Sequence, residues 1–97
     1  MAWMEIIRLR AVADFDRKDA LKELSWLSSG VDEPGLDRIA LAAEAAGSGD
    51  FMVALFWNGD CPGRRKSRLG EMIAETLRPF GLTGHAAWST LARFAYK

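Results

Sequence analysis

Residues 51–57 read FMVALFW, an unbroken apolar run with three aromatic side chains. A strand that packs on helices with one face and meets water with the other should alternate apolar and polar residues. This run is apolar on both of its alternating faces. We therefore predict a strand that is covered on both sides, by helices of its own chain and by a second subunit or a bound apolar ligand.

The composition indicates one globular domain spanning residues 1–97. Hydrophobic residues make up 49% of the chain and charged residues 27%. The 13 basic and 13 acidic residues cancel, so no global field favours nucleic acid or an anionic membrane as a partner. No apolar run approaches the length of a membrane span, and none is expected.

Cysteine content and the first residues point to the cytoplasm as the expected location. Cys61 is the single cysteine and cannot form an internal disulfide, and residues 1–5 resemble no signal peptide. Cys61 and His85 offer no recognisable ligand set, so no metal is expected. No cofactor is expected either.

A strand and a helix are predicted in the first 30 residues. Trp3 to Val12 is typical of a strand, and Asp14 to Ser29 has the three-and-four spacing of a helix that stops at Gly30. One face of the first strand carries Ile7, Leu9 and Ala11, and the other carries Met4, Ile6, Arg8 and Arg10. The helix stripe consists of Ala20, Leu21, Leu24 and Leu27.

The segment from Leu36 to Ala46 is ambiguous between strand and helix. Its five alanines favour a helix on propensity, whereas Ile39, Leu41 and Ala43 alternate with polar positions as in a strand. The following sequence Gly47-Ser48-Gly49-Asp50 is typical of a tight connection into the next strand. We favour a strand for that reason.

A second helix and a last strand are predicted after the run. Asn58 to Lys66 is a polar loop, and Ser67 can cap a helix that ends at Gly81. The last strand is expected from about His85 to Tyr96. The buried stripe of the second helix is predicted to be Leu69, Met72, Ile73, Leu77 and Phe80.

The resulting order is βαββαβ, the ferredoxin-like α+β arrangement, with a four-stranded antiparallel sheet and two helices on one face. In order and length the whole chain resembles the dimeric α/β-barrel group, which includes antibiotic-biosynthesis-type and haem-degrading monooxygenases. The resemblance implies a homodimer whose two open sheets face each other. That arrangement would cover both faces of residues 51–57.

The resemblance also implies candidate catalytic residues. Cofactor-independent oxygenases of the group use a Trp, an Asn and a His, Tyr or Arg near one pocket, and Trp57, Asn58 and His85 could converge at one end of the sheet. Haem-degrading relatives carry a ligand His on the helix after the third strand, and Ser67 to Phe80 contains none. The simpler alternative is a core Trp57, a turn-forming Asn58 and a surface His85.

Cations surround the predicted start of the second helix, at Arg64, Arg65, Lys66 and Arg68. A helix N-terminus carries free N–H groups and partial positive charge, so an anion would stabilise this cluster. The spacing is not that of a P-loop, and a solvated charged loop is the simpler interpretation.

Three functional hypotheses remain open from the sequence. The first is a homodimer that binds a small apolar or aromatic ligand as a cofactor-independent oxygenase does, with Arg8 or Arg10 holding an anionic group of that ligand. The second is a non-catalytic dimerisation module. The third is an anion-binding domain that uses the basic helix start.

Overall fold

The computed structural model describes residues 2–11, 14–60, 66–92 and 94, including their side chains except those of residues 11 and 14–16. Two short 3₁₀ helices follow the two α-helices directly, at Ser25–Ser29 and Arg78–Phe80. The other elements are β1 (Trp3–Ala11), α1 (Asp14–Glu23), β2 (Leu36–Ala43), β3 (Phe51–Trp57), α2 (Arg68–Leu77) and β4 (Gly81–Ser89).

The four strands form one antiparallel sheet in the order β2-β3-β1-β4. The predicted ferredoxin-like α+β fold is confirmed. The segment that is ambiguous in sequence between strand and helix is a strand, because its backbone pairs with β3 from Leu36 to Ala43. No helix in the described ranges is long and apolar enough to cross a bilayer.

The core lies between the helices and one face of the two central strands. Trp3, Ile7 and Leu9 of β1 are buried there beside the odd-numbered residues of β3, which are Phe51, Val53, Leu55 and Trp57. From α2, the side chains of Leu69, Ile73 and Leu77 close the layer. Burying each such side chain contributes roughly 1.5–3 kcal/mol.

The opposite side of the sheet, here called the open face, is formed by the other alternating side chains. The register aligns its central members across three strands. They are Met4, Ile6 and Arg8 of β1, Met52, Ala54 and Phe56 of β3, and Leu82, Ala86 and Trp88 of β4. Trp88 is 60% exposed and Leu82 is 75% exposed, so a broad apolar surface meets solvent in the isolated chain.

Several predicted boundaries are wrong, and strand pairing explains the largest error. The last strand begins at Gly81 and ends at Ser89, because Ala11 pairs with Gly81 and Trp3 with Ser89. Its length is therefore set by β1 rather than by its own apolar residues. The predicted strand from His85 to Tyr96 starts and ends too late along the chain.

The helices are also shorter than predicted. The first α-helix ends at Glu23 and continues only as the 3₁₀ turn that stops at Gly30, where φ is +89°. The second ends at Leu77, and the 3₁₀ turn that follows contains Pro79, whose ring disfavours further α-helix. Met72 is not part of the buried stripe, since it is 49% exposed.

Candidate functional site

A fully buried carboxylate lies in the core face of β1. Glu5 occupies the position between Trp3 and Ile7 on that face and has no exposed surface. Removing a charged side chain from water costs several kcal/mol unless partners stabilise it. Glu5 therefore needs partners within the protein that stabilise its buried carboxylate.

His85 of β4 is the direct partner of this carboxylate. Ala87 is opposite Glu5 in the sheet register and His85 is opposite Ile7, so the two side chains are diagonal neighbours on one face. The Nε2 atom of His85 lies 2.6 Å from Oε2 of Glu5, and the His85 side chain is only 8% exposed. Such a separation is that of a short, charge-assisted hydrogen bond.

The N-terminus of α2 provides the second contact. The backbone N–H of Ser67 donates to Oε2 of Glu5 at 3.2 Å. Ser67 is also the N-cap, and its Oγ accepts a hydrogen bond from the backbone N–H of Gly70 at 2.9 Å. The partial positive charge of the helix start stabilises the nearby carboxylate. Thus an acidic side chain of the protein itself lies at the helix start.

Gly70 makes this close approach possible. A Cβ at residue 70 would overlap Oε2 of Glu5 and lie only 2.8 Å from Nε2 of His85. The helix can therefore pack directly on the Glu5–His85 pair only where a side chain is missing. The other carboxylate oxygen, Oε1 of Glu5, is buried without a hydrogen-bond partner among the described residues.

An open cleft of about 770 Å³ lies beside this pair, here called the α2 cleft. Its apolar walls come from the half-buried Trp26 of the first 3₁₀ helix and from Met72. The complete lining is Trp26, Lys66, Arg68, Glu71, Met72, Glu75, Thr76, Arg78 and His85. His85 is therefore the group that joins the buried carboxylate to the cleft.

The arrangement is suited to proton transfer. A carboxylate bonded to one ring nitrogen orients a histidine and stabilises its protonated form, while the second nitrogen exchanges a proton with a ligand. Here Nε2 is bonded to Glu5, and Nδ1 forms no hydrogen bond within the described part of the chain. Because His85 also lines the α2 cleft, its imidazole lies between the buried carboxylate and the space that a bound molecule would occupy.

The expected convergence of Trp57, Asn58 and His85 is wrong. Trp57 pairs with Trp3, whereas His85 pairs with Ile7, four residues further along β1. The two positions are therefore about 13 Å apart along the strands. Trp57 stacks on Trp3 with ring centroids 5.4 Å apart, and Asn58 is exposed after the end of β3.

The arginines of β1 lie on the open face, away from the α2 cleft. Arg10 forms an ion pair with Asp50, with Nε and Oδ2 3.5 Å apart, and Arg8 is exposed. Arg64 and Arg65 lie outside the described residues. The other two cations of the predicted cluster, Lys66 and Arg68, line the α2 cleft together with His85.

Sequence-based reasoning missed Glu5. The signal was present, because an acidic residue alternates with Trp3, Ile7 and Leu9 on the core-facing side of a strand. Its partner is 80 residues away along the chain, so no local motif connects the two. Among the described residues, no group of three His, Cys, Asp or Glu side chains could hold a metal ion.

Comparison with known proteins places the fold within a recognised structural class. No family model matches this sequence, and no curated protein matches it. Solved structures of the ferredoxin-like class do match over nearly the whole chain. The resemblance to the dimeric α/β-barrel group is confirmed at the level of fold.

Three of these solved structures, with their sequence identity, coverage and TM-score, are as follows. SnoaB, a cofactor-independent oxygenase from Streptomyces nogalater, has 14% identity and a TM-score of 0.62, with 98% of each chain covered. A dimeric ferredoxin-like protein from an uncultured marine organism has 14% identity and a TM-score of 0.67, covering 99% of this chain and 93% of its own. A candidate antibiotic biosynthesis monooxygenase from Deinococcus radiodurans has 10% identity and a TM-score of 0.66, with 100% and 99% covered.

Proposed function

We propose that this protein is a homodimer that binds a small aromatic molecule in the α2 cleft and acts on it as a cofactor-independent oxygenase. The observation that carries the proposal is the buried Glu5–His85 pair beside the cleft. A buried polar pair of this kind is a poor source of stability compared with apolar packing. Titratable groups held together beside a cleft are characteristic of functional sites.

The proposed reaction begins with removal of a proton. Trp26 and Met72 supply apolar and aromatic contacts for a flat ligand. Nδ1 of His85 accepts the proton of a phenolic hydroxyl, and Glu5 stabilises the imidazolium that forms. The resulting phenolate is electron-rich and is oxidised by O2, with one oxygen atom entering the aromatic ring to form a quinone and the other leaving as water. SnoaB, one of the structural neighbours, is described as a cofactor-independent oxygenase.

Oxygen uptake with a phenolic probe tests this function. With 2-naphthol as the probe, His85→Gln and Glu5→Gln should each lower the protein-dependent rate by about a hundredfold or more, the usual contribution of a positioned base. Thr83→Val is the matched control, since Thr83 is near His85 on the same strand but does not line the cleft. Equal rates in the parent and both site variants would exclude the proposed proton transfer.

The homodimer is supported by the open face of the sheet. Exposed apolar patches of several hundred Å² are typical of protein interfaces, and Trp88 is the largest exposed side chain on this one. One structural neighbour is described as dimeric. Isologous pairing of two open faces would also cover the second side of residues 51–57, as their sequence predicts.

A non-catalytic dimerisation module is the second candidate, favoured by the same apolar face. It requires the open face but gives no role to the Glu5–His85 pair. A dimer without probe binding in the α2 cleft and without oxygen uptake would support that alternative.

A further inference from the structure

We infer that the ligand of the α2 cleft is an aromatic acid, whose carboxylate is bound by Lys66 and Arg68 while its hydroxyl faces His85. The inference rests on the proposed function, because it assigns the substrate class of the same site. It depends on where the structure places these two cations relative to the histidine.

The cations and the histidine lie at the same end of the cleft. His85 Nε2 is 2.8 Å from the position that a Cβ of residue 70 would occupy. Arg68 begins α2 two residues before Gly70, and Lys66 immediately precedes the Ser67 cap. Arg68 therefore lies within one helical turn of Gly70, and Lys66 lines the same cleft as Arg68 and His85. A single small ligand can therefore reach the histidine and both cations.

The charges at the two ends of the cleft differ. Glu75 and Arg78 form an ion pair with each other at the far end. Among the described residues, Lys66 and Arg68 form no ion pair, and Glu71 is the remaining acidic group of the lining. The end beside His85 thus has an excess of positive charge, which favours an anionic ligand group.

Side chains supply the positive charge for this anion, because two amides of the helix start are already engaged within the protein. Of the amides at the start of α2, that of Ser67 donates to Glu5 and that of Gly70 donates to the Ser67 side chain. An arginine and a lysine can bind a carboxylate, the arginine in a bidentate manner. The basic cluster identified in the sequence therefore acts through Lys66 and Arg68 in the cleft.

The same cations would assist the proton transfer. When the hydroxyl O–H bond breaks, the proton forms an N–H bond at Nδ1 of His85 and the electron pair remains on the oxygen. Positive side chains already in place stabilise this new phenolate. Both charges of the ligand, the permanent carboxylate and the transient phenolate, are then adjacent to Lys66 and Arg68.

Two probes that differ only in the carboxylate test the inference, 3-hydroxy-2-naphthoate and 2-naphthol, with Kd measured by calorimetry. We expect the parent protein to bind the acid about tenfold more tightly, corresponding to two charge-assisted contacts at an exposed site. Lys66→Gln combined with Arg68→Gln should abolish that preference, because it weakens binding of the acid about tenfold more than binding of 2-naphthol. Lys18→Gln combined with Lys22→Gln is the control, because it removes two exposed charges outside the cleft.

The outcomes separate this inference from the function on which it rests. If both probes bind with equal affinity, or if the preference survives the Lys66 and Arg68 changes, the assignment of an aromatic acid is wrong while the cleft remains a binding site. If neither probe binds the parent protein, both the aromatic acid and the proposed function are refuted.

Discussion

Gly70→Ala should destabilise the folded protein by about 2–4 kcal/mol, although alanine is the better helix former by about 1 kcal/mol. The added methyl group would overlap the Glu5 carboxylate and crowd His85. Glu5 is fully buried, so its carboxylate has no solvent to move into. Displacement would weaken its hydrogen bonds to His85 and Ser67. Thermal unfolding should show a Tm lower by roughly 10–20 °C.

A double-mutant cycle shows whether the carboxylate is the cause. In a Glu5→Ala background the methyl group added at position 70 meets only the His85 ring, whose Nε2 lies 2.8 Å from that Cβ and no longer has the carboxylate as its partner. Gly70→Ala should therefore cost much less stability there than in the parent protein. Gly84→Ala is the matched control, since nothing lies within 4 Å of a Cβ at that position. If Gly70→Ala lowers the free energy of unfolding by the same amount with and without the Glu5 carboxylate, overlap with Glu5 is not the cause of the destabilisation.

The second large effect is expected at the open face. Trp88→Glu should dissociate the proposed homodimer, raising its Kd by about a thousandfold, because a carboxylate buried in a dry interface costs several kcal/mol and appears twice in a symmetric dimer. In the isolated chain Trp88 is 60% exposed, so the monomer fold should tolerate the change. Sedimentation equilibrium measures the shift from twice the chain mass to the chain mass.

Leu21→Glu is the control for this experiment. Leu21 is a partly exposed apolar residue on α1, in the helix layer on the other side of the sheet. The Leu21→Glu variant adds the same charge and should leave the dimer intact. A parent protein that sediments as a monomer at micromolar concentration, or a Trp88→Glu variant that remains dimeric, would contradict pairing through the open face.

The sequence was sufficient to predict the fold because its main signals are local. The run at residues 51–57 identified β3 with its correct boundaries, and alternation in β1 assigned Met4, Ile6 and Arg8 to one face. Periodicity shows which side of each strand or helix is apolar. In a chain of this length, few folds can bury the apolar sides of four strands and two helices together. The order βαββαβ follows from those elements.

Tertiary structure decided the position of the candidate site. His85 lies in the middle of β4 because β1 sets the extent of that strand, so its partner is Glu5 rather than Asn58. The burial of Glu5 depends on strand pairing, on the capped start of α2 and on the missing side chain at Gly70. These three elements are distant in sequence, and hydrogen bonds between such segments exist only after the sheet and helix have packed. Local patterns determined the architecture of this protein, whereas long-range packing determined which side chains meet at the cleft.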